Sequence, residues 1–116
     1  LRADLRVGAK LTLGGSASGA VLVAFGSEEM RESLRQQGVA LPPEAELQAV
    51  RERGYAIFAP TDPHFVAAVA APVFDAARQC VAVLAISGPI FRFDYDRCGP
   101  IVIAGARRLS AQFGHS

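Results

Sequence analysis

Cys98 stands beside Asp94, Asp96 and Arg97 in a segment that reads as a helix start, and nucleophilic chemistry would be sought there first. A positive helix end and a neighbouring guanidinium are what turn a thiol into a thiolate. A thiol enzyme would also need a base, and no histidine lies near Cys98 in sequence. A second candidate is Gly14-Gly15-Ser16-Ala17-Ser18-Gly19, two glycines bracketing four residues in the outline of a phosphate loop. Such a loop continues with Lys and then Ser or Thr, for charge and for magnesium; here Ala20 and Val21 follow. What remains is a tight turn with a capping serine, or small residues whose backbone N–H groups could meet an anion at a helix start.

The other reactive side chains read as structural. His64 follows Asp62-Pro63 and is expected in a solvated loop, while Cys80 lies in an apolar run as a small core residue. Two cysteines and two histidines complete no zinc spacing, so no metal is expected. No carboxylate pair is placed for general acid–base work. Phe91-Arg92-Phe93-Asp94-Tyr95 is the one stretch where aromatics alternate with a base, as single-stranded nucleic acid would require, but acids dilute it. It reads as a hinge whose aromatics pack under the last helix. Neither catalysis nor a cofactor is expected.

Composition narrows the classes further. The 116 residues suggest one domain over 1–116, and 12 Lys+Arg against 11 Asp+Glu are too balanced for a surface that neutralises many phosphates. At 51% hydrophobic residues the chain can bury a core, yet no apolar run approaches the roughly 20 residues of a membrane helix. Two cysteines exclude a disulfide framework and make a reducing cytoplasm the expected location, with no membrane partner.

The elements follow from periodicity. Leu1 to Val7 alternates apolar and polar residues, a strand with one wet face; beginning in mid-strand suggests a fragment whose pairing strands are missing. Leu11 to Leu13 is a short extended piece. Ser16 or Ser18 can cap a buried helix through Ala20 to Phe25, and Ser27 caps another with Met30 and Leu34 inward. Glu28/Arg31 and Glu32/Arg35 pair on its wet side, and Gly38 stops it. Pro42-Pro43 opens a third helix with Leu47 and Val50 inward, ended by Gly54. Strands are expected at Tyr55–Ala59, Phe65–Phe74 and Gln79–Ser87, the last two joined by a hairpin at Asp75–Arg78 and the last stopped by Gly88-Pro89. Asp94 or Asp96 caps a final helix with Pro100 in or near its first turn, a buried stripe of Val102, Ala106, Leu109 and Phe113, and Gly114 at its end. This order predicts an α+β fold with an antiparallel sheet flanked by helices.

Three segments in order carry a resemblance: Val50-Arg51-Glu52-Arg53-Gly54-Tyr55-Ala56, Val69-Ala70-Ala71-Pro72-Val73-Phe74-Asp75 and Val83-Leu84-Ala85-Ile86-Ser87-Gly88-Pro89. The chain resembles the C-terminal effector-binding domain of the IclR (isocitrate-lyase-regulator) family of bacterial transcription regulators, over Leu1 to about Phe113. The resemblance implies a GAF-like domain that binds a small metabolite and self-associates as a dimer or tetramer. It further implies that operator DNA is bound only through a winged helix-turn-helix absent from these residues, and that the first strands of the effector domain are absent too.

The resemblance also places a pocket. An effector carboxylate is met by backbone and small residues at the helix start, here Ala17, Ser18 and Gly19. A family acid becomes Phe58, a cysteine becomes Ala68, and of two serines two apart the first is Ala85 and only Ser87 remains. The family's Gly-Lys-Ala becomes Gly19-Ala20-Val21, and its preceding histidine Gly14. Residues 85 and 87 must face the same side of a strand. Losing an acid, a thiol and a hydroxyl would leave the polar groups of a small keto acid unpaired at about 1–3 kcal/mol each. The expected effector is therefore larger and more apolar, an aromatic acid for instance, anchored through Ser18, Ser87 and the helix N-terminus. The alternative is a ligand-free oligomerisation domain whose pocket is filled by Phe58.

Overall fold

The structure is a computed structural model that describes residues 16–115. The strands expected at Leu1–Val7 and Leu11–Leu13, and Gly14, lie outside the described residues. Helix α1 (Ala17–Phe25) starts where Ser16, in an extended conformation, accepts the Gly19 N–H on its hydroxyl at 2.9 Å. Its sequence is apolar on every side, and Val21, Val23 and Ala24 are buried accordingly. Such a helix brings no polar side chain to its own C-terminus. Its last carbonyls are met instead by arginines from the next two helices. Arg31 Nη1 donates to the carbonyls of Val23 and Gly26 at 2.8 Å, and Arg51 Nε donates to that of Ala24 at 2.7 Å.

Helix α2 (Glu28–Gln36) is capped by Ser27 and tied on its wet face by Arg31–Glu28 at 3.0 Å and Arg35–Glu32 at 3.3 Å. Gly38, at φ 80°, takes the left-handed conformation that follows it. Met30 and Leu34 are only half-buried, so α2 lies on the surface with Leu34 touching the core. Helix α3 (Glu44–Arg53) begins just after the proline pair, with Pro43 as its N-cap, and ends at Gly54 (φ 89°). Leu47 and Val50 are its buried residues, as their spacing requires.

The sheet is antiparallel with order β1-β2-β3: β1 (Ala56–Phe58), β2 (Val66–Phe74) and β3 (Cys80–Pro89). Gly88-Pro89 does not stop β3, which pairs on through Ala67↔Gly88 and Val66↔Pro89. The Phe74 N–H turns away from β3 to the Ser110 hydroxyl at 2.9 Å, so by strand alternation Val66 and its partner Pro89 also point their backbones out of the β2–β3 ladder. A proline there removes no rung. Pro72 is placed by the same logic: β1 pairs only with residues 68–70 of β2, and the missing N–H faces the edge that β1 leaves open. Asp75 Oδ1 closes the hairpin by accepting the Ala77 and Gln79 N–H groups, and Arg78 sits at φ 63°. Val81 is a bulge, since Val73 pairs with Ala82 and Phe74 with Cys80.

A one-turn 3-10 helix (Ile90–Arg92) leads to helix α4 (Tyr95–Gln112), capped by Asp94 through the Arg97 N–H. Pro100 lies inside the helix just past its first turn, near where it was expected, and its ring removes the donor for the Asp96 carbonyl on an exposed side. One expectation needs correction. Phe113 is 54% exposed, and Ser110 takes its place on the buried stripe with Val102 and Ala106. The reason is polar: Ser110 takes the Phe74 N–H and donates to the Ala106 carbonyl at 2.8 Å, which no phenyl ring could do. Of the aromatics expected under this helix, Phe93 and Tyr95 pack edge-to-face at 4.9 Å, whereas Phe91 is 83% exposed.

The sheet separates two apolar clusters. On one face α1 and α3 cover Ala56, Ala70 and Val83; on the other α4 covers Val69, Ala71, Val73, Ala82 and Leu84. The fold is α+β with an antiparallel sheet flanked by helices, as expected, and the sheet has three strands among the described residues. No helix among the described residues is long and apolar enough to cross a membrane.

Candidate functional site

Register decides which side chains meet. Phe58 pairs with Ala68 and Ala68 with Ser87, so the three form one cross-strand row. The next row inward is Ala56, Ala70 and Ala85. Both rows point to the face that α1 covers, since Ala56 and Ala70 belong to its cluster and Phe58, Ala68 and Ala85 pack against it.

Helix α1 reaches these rows with its N-terminal end. Its C-terminal Phe25 meets Phe74 edge-to-face at 5.7 Å, at the far end of β2, while Ala17 shares the cluster with Ala56 and Ala70. Ala17, Ser18 and Gly19 are buried, and the helix offers no acceptor for the N–H groups of Ala17 and Ser18. Ala17, Phe58, Ala68 and Ala85 are thus brought together. Ser18 and Gly19 are buried beside them in chain order, and Ser87 is exposed at the outer end of its row. The side chains that meet here are methyl and phenyl groups, and the buried start of α1 is the positive end of its helix.

Phe58 is half-buried: it packs against the α1-side cluster, and its ring stands edge-on to Phe65 at 6.1 Å. Beyond the row, Val66 and Pro89 continue the same face into a cleft of ≈ 360 Å³ between Phe65, Val66, Pro89, Ile90 and Phe91. The apolar character of this outer cleft was signalled in the sequence by Phe65 and Phe91, but neither carries a periodic pattern that would have singled it out.

The reactive groups are dispersed. His64 Nδ1 lies 2.8 Å from Asp62 Oδ1 in an exposed turn, and the His64 backbone and ring hold the Asp62 carboxyl below its ordinary value. Cys80 is half-buried with Sγ donating to the Ala82 carbonyl at 3.4 Å, and burial pushes its thiol up. Cys98 is half-buried against the α4-side cluster. No three of the described His, Cys, Asp and Glu residues are grouped to hold a metal ion.

A second cleft, ≈ 490 Å³, opens at the other end of β2, lined by Phe25, Arg53, Phe74, Arg107, Ser110 and His115 among others. None of the pocket residues expected from sequence lines it.

Comparison with known proteins gives a consistent relationship. Residues 1–111 match the family described as bacterial transcriptional regulator IclR C-terminal. The transcriptional repressor IclR of Escherichia coli (strain K12) is 28% identical over 128 residues, covering 98% of this chain and 47% of that protein. The chain therefore spans about half the length of this curated relative. The crystal structure of Pseudomonas aeruginosa HmgR superposes at TM-score 0.77 with 32% identity, over 97% of this chain and 49% of that one. The double mutant of the PobR inducer-binding domain from Acinetobacter, in complex with 3-hydroxybenzoic acid, shares the fold at TM-score 0.70 and 21% identity, over 90% of this chain and 69% of that one.

Proposed function

The chain belongs to the family of bacterial transcriptional regulator IclR C-terminal domains, and on that premise we propose that residues 1–116 are a single effector-sensing, self-associating domain of a cytoplasmic regulator. The ligand is a small apolar or aromatic acid. Its carboxylate is met by the N-terminus of α1 at Ala17, Ser18 and Gly19, and its body lies against Phe58, Ala68 and Ala85, with Ser87 at the mouth. Operator DNA is contacted through a helix-turn-helix domain outside these residues, and the domain itself carries out no catalysis.

One observation carries this reading: a buried helix start and a methyl-and-phenyl row on one sheet face, sharing a single cluster. The helix dipole and N–H groups favour a negative group there. The alanine lining has no hydrogen bond to offer a compact keto acid, so selectivity moves toward ligands that bury apolar surface. Binding can alter DNA affinity only if one assembly state binds the acid more tightly than the other, because a ligand shifts an equilibrium by its differential affinity alone.

Thermal unfolding of the chain with 3-hydroxybenzoate and with pyruvate tests the proposal. At about 100 times its dissociation constant a ligand adds about 2.7 kcal/mol, several degrees for a domain of this size. A shift with 3-hydroxybenzoate and none with pyruvate is expected. Ser87→Trp, at an exposed position where bulk is tolerated, should abolish it by closing the mouth. No shift in a folded sample that still self-associates would favour the second reading, a ligand-free assembly domain, for which the packing of Phe58 against the α1-side cluster is the motivating contact.

A further inference from the structure

We propose that the ≈ 490 Å³ cleft at the far end of β2 is a second binding site, for a small organic anion made of a carboxylate on an apolar body. Its volume lies in the range of small-molecule sites. It sits at the opposite end of the sheet from the α1 N-terminus and shares no residue with the effector site.

Among the described residues β1 pairs with β2 only as far as Ala70, so none of them pairs with the β2 edge from Ala71 to Phe74, which runs between the ends of α1 and α3 on one side and α4 on the other. An open edge would ordinarily invite another strand. This one has no donors to give. Pro72 has no N–H, and the outward N–H of Phe74 is taken by the Ser110 hydroxyl at 2.9 Å. Strand addition is therefore disfavoured, and the occupant must be held by side chains.

The side chains that remain are cationic over an apolar floor of Phe25, Pro72, Phe74 and Ile103. Arg53 is fixed in place: its Nε donates to the Tyr55 carbonyl at 3.0 Å and its guanidinium lies 5.1 Å from the centroid of the Tyr55 ring. Its terminal nitrogens make none of the hydrogen bonds or ion pairs found among the described residues. Arg107, on α4 between Ile103 and Ser110, has no ion pair among the described residues either. The nearby acid, Asp75, spends its Oδ1 on the Ala77 and Gln79 N–H groups of the hairpin. His115 closes the far wall, its ring tilted against Phe74 at 5.3 Å between centroids and its Nδ1 3.0 Å from the Asp75 carbonyl. A preorganised guanidinium with two free terminal nitrogens is suited to a carboxylate.

Titrating the isotope-labelled 116-residue chain with benzoate while following backbone amide resonances tests this. Saturable shifts at Phe74, Ile103, Arg107 and His115 are expected, and benzyl alcohol, uncharged and similar in size, should not produce them. Arg53→Gln with Arg107→Gln should weaken benzoate at least about tenfold, as loss of charge-assisted hydrogen bonds implies. Both positions are exposed, so the fold should survive. Ser87→Trp should leave this binding intact, which separates it from the effector site. The proposal is overturned by shifts confined to Ser18, Phe58 and Ser87, by no shifts at all, or by an affinity indifferent to both glutamines.

Discussion

At Gly99 the last helix comes so close to Tyr55 that a methyl group would sit 2.5 Å from the ring. Gly99→Ala should therefore cost about 1–3 kcal/mol through overpacking, measured as a lower thermal midpoint. In a Tyr55→Ala background the same change should cost much less, because the clash partner is gone. Ser110→Ala tests a different kind of residue. It would leave the Phe74 N–H and its own contact with Ala106 unmade in a buried place, for a loss of about 1–3 kcal/mol by denaturant melt. Cys80 gives a pH signature. Burial raises its thiol above the ordinary value, so the neutral form is the one the fold favours. Its contribution is complete below the unfolded thiol's pKa and is lost as pH rises through the raised folded value. Cys80→Ala should flatten the alkaline limb of a plot of melting temperature against pH.

Helix α1 shows what was legible in sequence at the scale of elements and what was not. A hydroxyl cap at Ser16 or Ser18, its burial and its end were readable because hydroxyl caps and all-round apolarity are local signals; which serine caps, Ser16, was settled only by the structure. That arginines of α2 and α3 would hold its C-terminal carbonyls was not, since Arg31 and Arg51 are spaced like ordinary wet-face partners of Glu28 and Glu44. Arg51→Met should loosen the α1–α3 contact by about 1–3 kcal/mol, seen as faster amide hydrogen exchange in the last turn of α1. The strands divide in the same way. Continuous apolar runs bounded by turn residues located β2 and β3, but Gly88-Pro89 read as a stop because local propensity cannot know which way a backbone faces relative to its neighbour. The shared row of Phe58, Ala68 and Ser87 came from the family resemblance plus register. Composition alone would have ranked the alanines as filler. The arginine-flanked cleft was invisible for a related reason: Arg53 and Arg107 lie far apart in sequence and meet only across an edge that β1 fails to cover.

At the scale of the molecule, the two apolar clusters share a sheet but no side chains. Substitutions on opposite faces, such as Val50→Ala with Val102→Ala, should therefore add to within about 0.5 kcal/mol in stability, which a double-mutant cycle measures directly. Separate faces also mean that a side chain on one can be exchanged without repacking the other. Under the proposed function the ligand would lie on the α1 side, so a change of ligand there would leave the α4-side core to hold the chain folded. Phe58, Ala68 and Ala85 all pack on that insulated side.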